Sequence, residues 1–164
     1  MAISKEEFRA ALGRFASGVT VVTTRDNSGK LFGITVSAFC SVSLEPPLIL
    51  VCIEKDAGSH HAFEQSKAFI VNILHEGQQQ ISNHFASHLK DKFSGVEHSS
   101  GIENLPVLTD ALINLECRLH HSYEGGDHTI YVGEIEKATV NDENPLIYWQ
   151  GNYREIKQQK ATSI

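Results

Sequence analysis

The chain has 164 residues, 41% of them hydrophobic, with a formal net charge of −6 and a pI near 5.8. That is the length of one domain with a core of its own, here expected to span 1–164. The acidic balance argues against nucleic acid as a partner, which calls for a basic patch, and no apolar run approaches the roughly 18 residues of a membrane span.

The opening MAISKEEFRAAL lacks the apolar centre of a signal peptide. Ser4 and Glu7 have the spacing of a capping box. They predict a helix with Phe8, Ala11, Leu12 and Phe15 on one face, ended by Gly18. Val19 to Thr24 is β-branched throughout and reads as a strand. Arg25 to Lys30 is turn chemistry, which makes a hairpin into the stretch that follows.

That stretch, Gly33 to Ile53, organises the chain. Ile34, Val36, Ala38, Cys40, Val42 and Leu44 are apolar and alternate with Thr35, Ser37, Ser41 and Ser43, with Phe39 breaking the hydroxylic row. The alternation predicts an extended chain with one buried face. The other face has small hydroxyls and no charge, so a flat ligand can approach the backbone and find hydrogen-bond partners. Read alone, this is either a half-buried hairpin or a ligand-lined one. Glu45-Pro46-Pro47 stops the pattern. Leu48 to Ile53 follows as a continuous apolar run, as a strand buried on both faces would read.

Glu54 to Ser59 is a loop, and Ser59 is placed to cap a short helix over His60 to Ser66. Ala68 to Leu74 reads as a strand, and Gln78 to Ser87 as a helix with Ile81 and Phe85 inward. His88 to Leu105 has no clear period and is expected to be a long loop. Ala111 to Ser122 and Thr129 to Val140 are strands around Glu124-Gly125-Gly126-Asp127, and Leu146 to Trp149 is a last short strand. Six or seven strands with few, short helices suit an antiparallel barrel better than a βαβ sheet. Cys40, Cys52 and Cys117 are odd in number, far apart and in apolar contexts. They read as small core residues of a protein kept in a reducing compartment, with the cytoplasm as the default.

His84 and His88 have helical i,i+4 spacing, but no HExxH arrangement or nearby cysteine accompanies them, and no metal is expected. No Gly-x-Ser-x-Gly or Cys-His-Asp arrangement supports a nucleophile, and no GxGxxG follows a strand. A dinucleotide would have to bind outside a Rossmann site.

TVSAFCSVSLEPPLILVCI resembles the signature of the short-chain flavin reductases, the reductase components of two-component flavin monooxygenases. The similarity continues in FRAALGRFASGVTVVTT and GDHTIYVGEIE and covers roughly residues 8–155. It implies a mainly β fold, the antiparallel split β-barrel that binds FMN, with a few short flanking helices. It also implies a homodimer with flavin near the subunit interface. The activity it implies is hydride transfer from NADH or NADPH to FMN or FAD, with reduced flavin passed to a partner monooxygenase and no residue acting as a catalytic acid or base.

The family's flavin-binding segment falls on Thr35, Val36, Ser37, Ala38, Phe39, Ser41 and Val42. Its phosphate loop falls on Asp56, Ala57, Gly58, Ser59, His60 and His61, ahead of a helix whose N-terminal amides favour an anion. The two histidines are less typical there. Its second flavin-contacting segment falls on Ser82, Asn83, His84, Phe85 and Ala86, with Lys92 and Phe93 closing the site. The histidine of its GDH motif, which contacts the nicotinamide nucleotide, falls on His128, and a further nucleotide contact on Tyr148, Trp149, Gln150 and Gly151. Read alone, His128 is an exposed turn residue and Val36, Ala38 and Val42 are core packing. Two other functions share the barrel. One is a flavin carrier without reductase activity. The other is a pyridoxamine-phosphate-oxidase-like enzyme, which needs a basic phosphate cluster not seen in the sequence.

Overall fold

A computed structural model of the chain describes residues 3–156, so both ends of the expected 1–164 unit lie outside the described residues. The helix α1 (Lys5–Leu12) precedes β1 (Ser17–Gly18), β2 (Thr20–Arg25), β3 (Leu31–Val36), β4 (Phe39–Ser43) and β5 (Leu48–Glu54). Next come α2 (His60–Gln65), β6 (Ala68–Ile73), α3 (Gln79–Ala86), β7 (His98–Ser100) and β8 (Pro106–Leu108). Two long strands, β9 (Ile113–Gly125) and β10 (His128–Val140), lead to β11 (Ile147–Trp149) and β12 (Asn152–Arg154).

Seven of these strands form one antiparallel sheet in the order β3-β2-β6-β9-β10-β5-β4. Its two edge strands, β3 and β4, are consecutive in the chain and joined only through Ser37 and Ala38. A two-residue link can join the two edges of a seven-stranded sheet only if the sheet rolls up on itself. The ladder does not close between them, and the result is an antiparallel split barrel: the strand spacing predicts the antiparallel barrel, and the family resemblance its split form. A small sheet, β1-β11-β12, and the pair β7-β8 flank it.

The barrel interior is filled by Val22, Val51, Ile53, Phe69, Val71, Cys117 and Tyr131. Fully burying a Val, Ile or Phe side chain is worth about 1.5–3 kcal/mol, so these positions fix which face of each strand points inward. Asn72 is buried on the opposite face of β6, and its side chain is used completely. Its amide donates to Val21 O (2.9 Å), and its carbonyl accepts from Leu108 N (2.9 Å) and Asn114 Nδ2 (2.8 Å).

Several expectations need correction. The first helix ends at Leu12 with Gly13 as its cap, and Gly18 lies in a strand. Its Phe8, Leu12 and Phe15 are 54%, 54% and 78% exposed, and Ala11 is exposed too, because nothing in the described part of this chain covers that face. The alternating stretch is two strands at opposite edges, so its apolar row is buried only to Val36, and Ala38, Cys40, Val42 and Leu44 are exposed. The run in β5 is buried on one face only: Ile49, Val51 and Ile53 point inward, while Leu48, Leu50 and Cys52 are half-buried. Of the cysteines, Cys117 alone is a core residue. Ser59 stands at the start of α2, but its side chain makes no capping hydrogen bond. The segment 88–105 is partly ordered into β7 and a short 3-10 turn. The buried carboxylate of Glu116 holds that turn, accepting from Ile102 N and Lys137 Nζ, both at 2.7 Å.

Candidate functional site

The first half of β3, the loop between β5 and α2, and the chain leaving α3 enclose a cleft of about 570 Å³. That lies within the roughly 300–1,000 Å³ of small-molecule sites. Three features shape it. Gly33 lets β3 and α3 approach, because a Cβ there would stand 2.5 Å from Phe85 Cε1. Thr35 Oγ1 donates to Ser82 O (2.6 Å), tying the same two elements further along. Lys92 Nζ donates to Phe85 O (2.6 Å) and Gly33 O (3.3 Å), so its ammonium closes the end of α3 onto β3. Burial pushes the Lys92 ammonium below its ordinary pKa.

The cleft mixes charges of both signs in equal number, with two histidines among them. Lys30, Lys90, Lys92, His61 and His88 line it against Asp26, Glu54 and Asp56. Phe32 supplies a flat apolar wall, with the His61 ring edge-on at 4.8 Å and Lys30 Nζ 5.2 Å from its centroid. These charged residues are far apart in the chain and are brought together only by the fold.

Of the residues singled out in the sequence, Asp56, Ala57, Gly58, Ser59, His61, Phe85, Ala86 and Lys92 line this cleft. The segment Thr35 to Val42 does not line it but continues β3 from its wall, past the link and into β4. Within that segment Val36 is core and Phe39 packs on the core, whereas Ser37, Ala38, Ser41 and Val42 face outward.

His60 departs from its expected role. Its ring turns away from the cleft and is buried at 8% exposure, with Nε2 sharing a hydrogen bond with Thr129 Oγ1 at 2.8 Å. Its inward turn follows from its place at the first position of α2, on the face that packs on the barrel with Ala62 and Phe63. Ser82 is buried as well, its hydroxyl accepting from Tyr153 OH (2.8 Å), which also reaches Asn83 Oδ1 (2.9 Å). His84 Nε2 meets Lys92 O at 2.7 Å, which ties α3 to the chain that follows it. Phe93 packs edge-on against Phe85 at 5.3 Å, behind the cleft.

His128 opens β10 directly across the ladder from Glu54, a wall residue of the cleft. Its Nδ1 lies 2.7 Å from Asp127 Oδ1, and that hydrogen bond holds the Asp127 carboxyl below its ordinary pKa. The turn before it needs Gly126, whose φ is +77°. Tyr148, Trp149, Gln150 and Gly151 form the β11–β12 hairpin, away from the cleft. That hairpin docks on the end of α1, through Trp149 Nε1 to Arg14 O (3.0 Å) and Gln150 N to Gly13 O (2.9 Å).

Sequence reasoning missed Lys30, Phe32, Glu54, Ser87, His88 and Lys90. The one local signal was Gly33, which heads the organising stretch. The others sit in loops and turns that only the barrel brings together.

The family model for the flavin reductase like domain matches residues 12–157. The chain belongs to the flavin reductase-like family. A reductase subunit of a flavin-dependent monooxygenase from Rhodococcus jostii is 38% identical over 161 residues, 98% of this chain and 82% of that protein. The reductase component of 4-hydroxyphenylacetate 3-monooxygenase from Thermus thermophilus is 42% identical over 153 residues, 93% of this chain and 97% of that one. Among solved structures, the NADH:FAD oxidoreductase of Streptomyces globisporus, in complex with NAD and FAD fragments, superposes with a TM-score of 0.88. It is 36% identical, and the match covers 96% of this chain and 97% of that one. Some matched chains are longer, and this one spans about half of them (47% and 53%). As a flavin reductase-like chain, it can be tested for the fit of a flavin. A flat wall at Phe32, the backbone of β3 at Gly33, the Ser59 hydroxyl in the Asp56–Ser59 loop, and Lys30, Lys90 and Lys92 lining the same cleft suit a planar ring carrying a phosphate.

Proposed function

We propose that this chain is an NAD(P)H-dependent flavin reductase that supplies reduced FMN or FAD to a partner monooxygenase. The observation that carries this reading is the pairing of His128 with Glu54. It brings the candidate nucleotide contact to the edge of the cleft, beside the loop we assign to the flavin phosphate. When bound, the flavin supplies the hydride chemistry itself, taking hydride at N5 from nicotinamide. The chain's part is positioning. The loop 56–59 and His61 hold the phosphate end. Thr35 to Val42 offer backbone and hydroxyl groups along the ring, on the strand that continues from the cleft wall. Lys92 and Phe85 keep α3 closed on β3. His128 holds the dinucleotide, with its imidazole oriented by Asp127. No side chain is needed as a general acid.

We further propose that the chain acts as one flavin reductase-like domain, as a homodimer, in the cytoplasm. Unpaired Cys40, Cys52 and Cys117 support the compartment. The outer face of β5, β10 and β9 supports the dimer. By the ladder register, Leu50, Cys52, Ile130 and Tyr123 share that face, beside Val42 and Leu44 at 50% and 93% exposure. The same face carries His128 and Glu54, which would set the flavin near the subunit boundary. Sedimentation should give about twice the 18.1 kDa chain mass, and a monomer that turns over would reject the dimer. Among the described residues, no helix is long and apolar enough to cross a membrane.

The deciding experiment is aerobic oxidation of NADH and NADPH with and without added FMN, FAD or riboflavin. Flavin-dependent oxidation is expected. Flavin binding without oxidation would make the protein a carrier, and a protein left colourless by excess flavin would remove the reading.

A further inference from the structure

We propose that His60 is a positioning residue that locks the cofactor loop to the strand carrying His128. The inference rests on the flavin reductase reading. Glu54 and the loop residues Asp56–Ser59 form one wall of the cleft, and this segment is tied to the β9–β10 turn at both of its ends. At its start, Lys55 N donates to Asp127 O (2.9 Å), and Lys55 Nζ pairs with Glu124. At its finish, the buried His60 ring meets Thr129 Oγ1 at 2.8 Å and Tyr131 OH at 3.5 Å. Thr129 is itself buried at 7% exposure, and it is the residue after His128.

The two ties differ in kind. Lys55 and Glu124 have side chains 37% and 82% exposed, so water competes for that pair. The His60–Thr129 contact is out of water, where breaking it leaves a polar group unpaired. Backbone bonds hold the near end, through Lys55 N to Asp127 O and the ladder pairing of Glu54 with His128, whereas His60 is the buried side-chain tie at the far end, and it acts on the residue next to His128. Hydride transfer demands a donor carbon held within about 3–3.5 Å of its acceptor. A strand end freed to shift by a fraction of an ångström would misplace the dinucleotide that His128 holds. It would leave the backbone of the loop intact, because Ala57 N and His60 N still donate to Glu54 O and Ala57 O.

Phe fills the space of the imidazole without its hydrogen bond, and Gln restores a polar end. His60→Phe should lower kcat/KM for NADH by about 5- to 30-fold, chiefly through kcat, while the flavin dissociation constant changes by less than about threefold. His60→Gln should recover most of the loss. Thr129→Val removes the partner while leaving the ring in place. It should reproduce the effect of His60→Phe, which guards against a failure of that variant to fold. Because His60 acts through His128, adding His60→Phe to His128→Ala should cost little beyond His128→Ala alone.

Turnover of the unmodified protein with NADH and flavin is the reference. Its absence would overturn the functional reading and the link with it. Normal turnover that neither His60→Phe nor Thr129→Val alters, or effects that multiply fully with His128→Ala, would overturn the link alone. A His60→Gln variant as impaired as His60→Phe would also reject it.

Discussion

Gly33 and Phe85 are in contact so close that a Cβ on the glycine would lie 2.5 Å from the phenyl edge. Both residues line the cleft, and Phe85 is fully buried. Gly33→Ala forces the ring or the helix away, at a cost of about 1–3 kcal/mol. Thermal melting should fall by several degrees, and flavin affinity should fall with it because α3 carries one wall. A variant with unchanged melting temperature would show that the contact yields without strain.

Ser59 is 6% exposed in the loop that we assign to the flavin phosphate. Ser59→Asp sets a like charge beside that phosphate. At a separation near 4 Å such a pair repels by up to ~4 kcal/mol at intermediate dielectric. FMN binding should weaken at least about tenfold and riboflavin binding less than about threefold, read by fluorescence quenching on the folded protein. Equal losses for both flavins would reject the phosphate assignment.

His128→Ala removes one oriented hydrogen bond to the dinucleotide, worth about 1–3 kcal/mol if its partner is left unpaired. The expected loss is about 5- to 150-fold in kcat/KM for NADH, with the flavin dissociation constant nearly unchanged. Stopped-flow reduction of the flavin-loaded variant checks this. Unaltered kinetics would return His128 to an exposed turn residue.

Cys117 gives the fold an alkaline limit. Burial, with Glu116 and Glu136 adding to it, pushes its thiol from 9.0 up to about 12. The folded protein then keeps a proton that the unfolded chain releases. The associated stability is intact below pH 9 and is lost as pH rises from 9 toward 12, by up to about 1.4 kcal/mol per pH unit. Cys117→Ala costs about 1 kcal/mol at neutral pH but has no thiol to titrate. The gap between the two proteins should narrow as melting is followed from about pH 8 to about pH 10. Parallel declines would show that other groups set the limit.

What could be read from the sequence was what neighbours in sequence decide. Ser4 and Glu7 make both bonds of their capping box, at 2.8 and 3.1 Å. The β-branched run of β2 is a strand, and the glycines before His128 make its turn. The antiparallel barrel followed from strand spacing. What could not be read depended on partners distant in sequence or outside the chain. His60 finds Thr129 across 69 positions, so its pattern could not tell a phosphate ligand from an interior link. Lys30 and Lys90 meet only because β3 and the chain after α3 flank one cleft. Phe8, Leu12 and Phe15 do form an apolar stripe, but periodicity gives a face and not what covers it.

Only two residues link β3 to β4, yet among the described residues neither edge of the main sheet has a ladder partner on its outer side. An unpaired edge is a template on which another strand can add. Charged side chains blunt most such edges, yet Phe39–Ser43 carries none. Its protection is brevity: five residues, stopped by Glu45-Pro46-Pro47, with a register shift at Ser41–Ser43 that bends the strand out of plane. This edge is therefore where strand-to-strand aggregation would begin in protein stripped of whatever normally covers it.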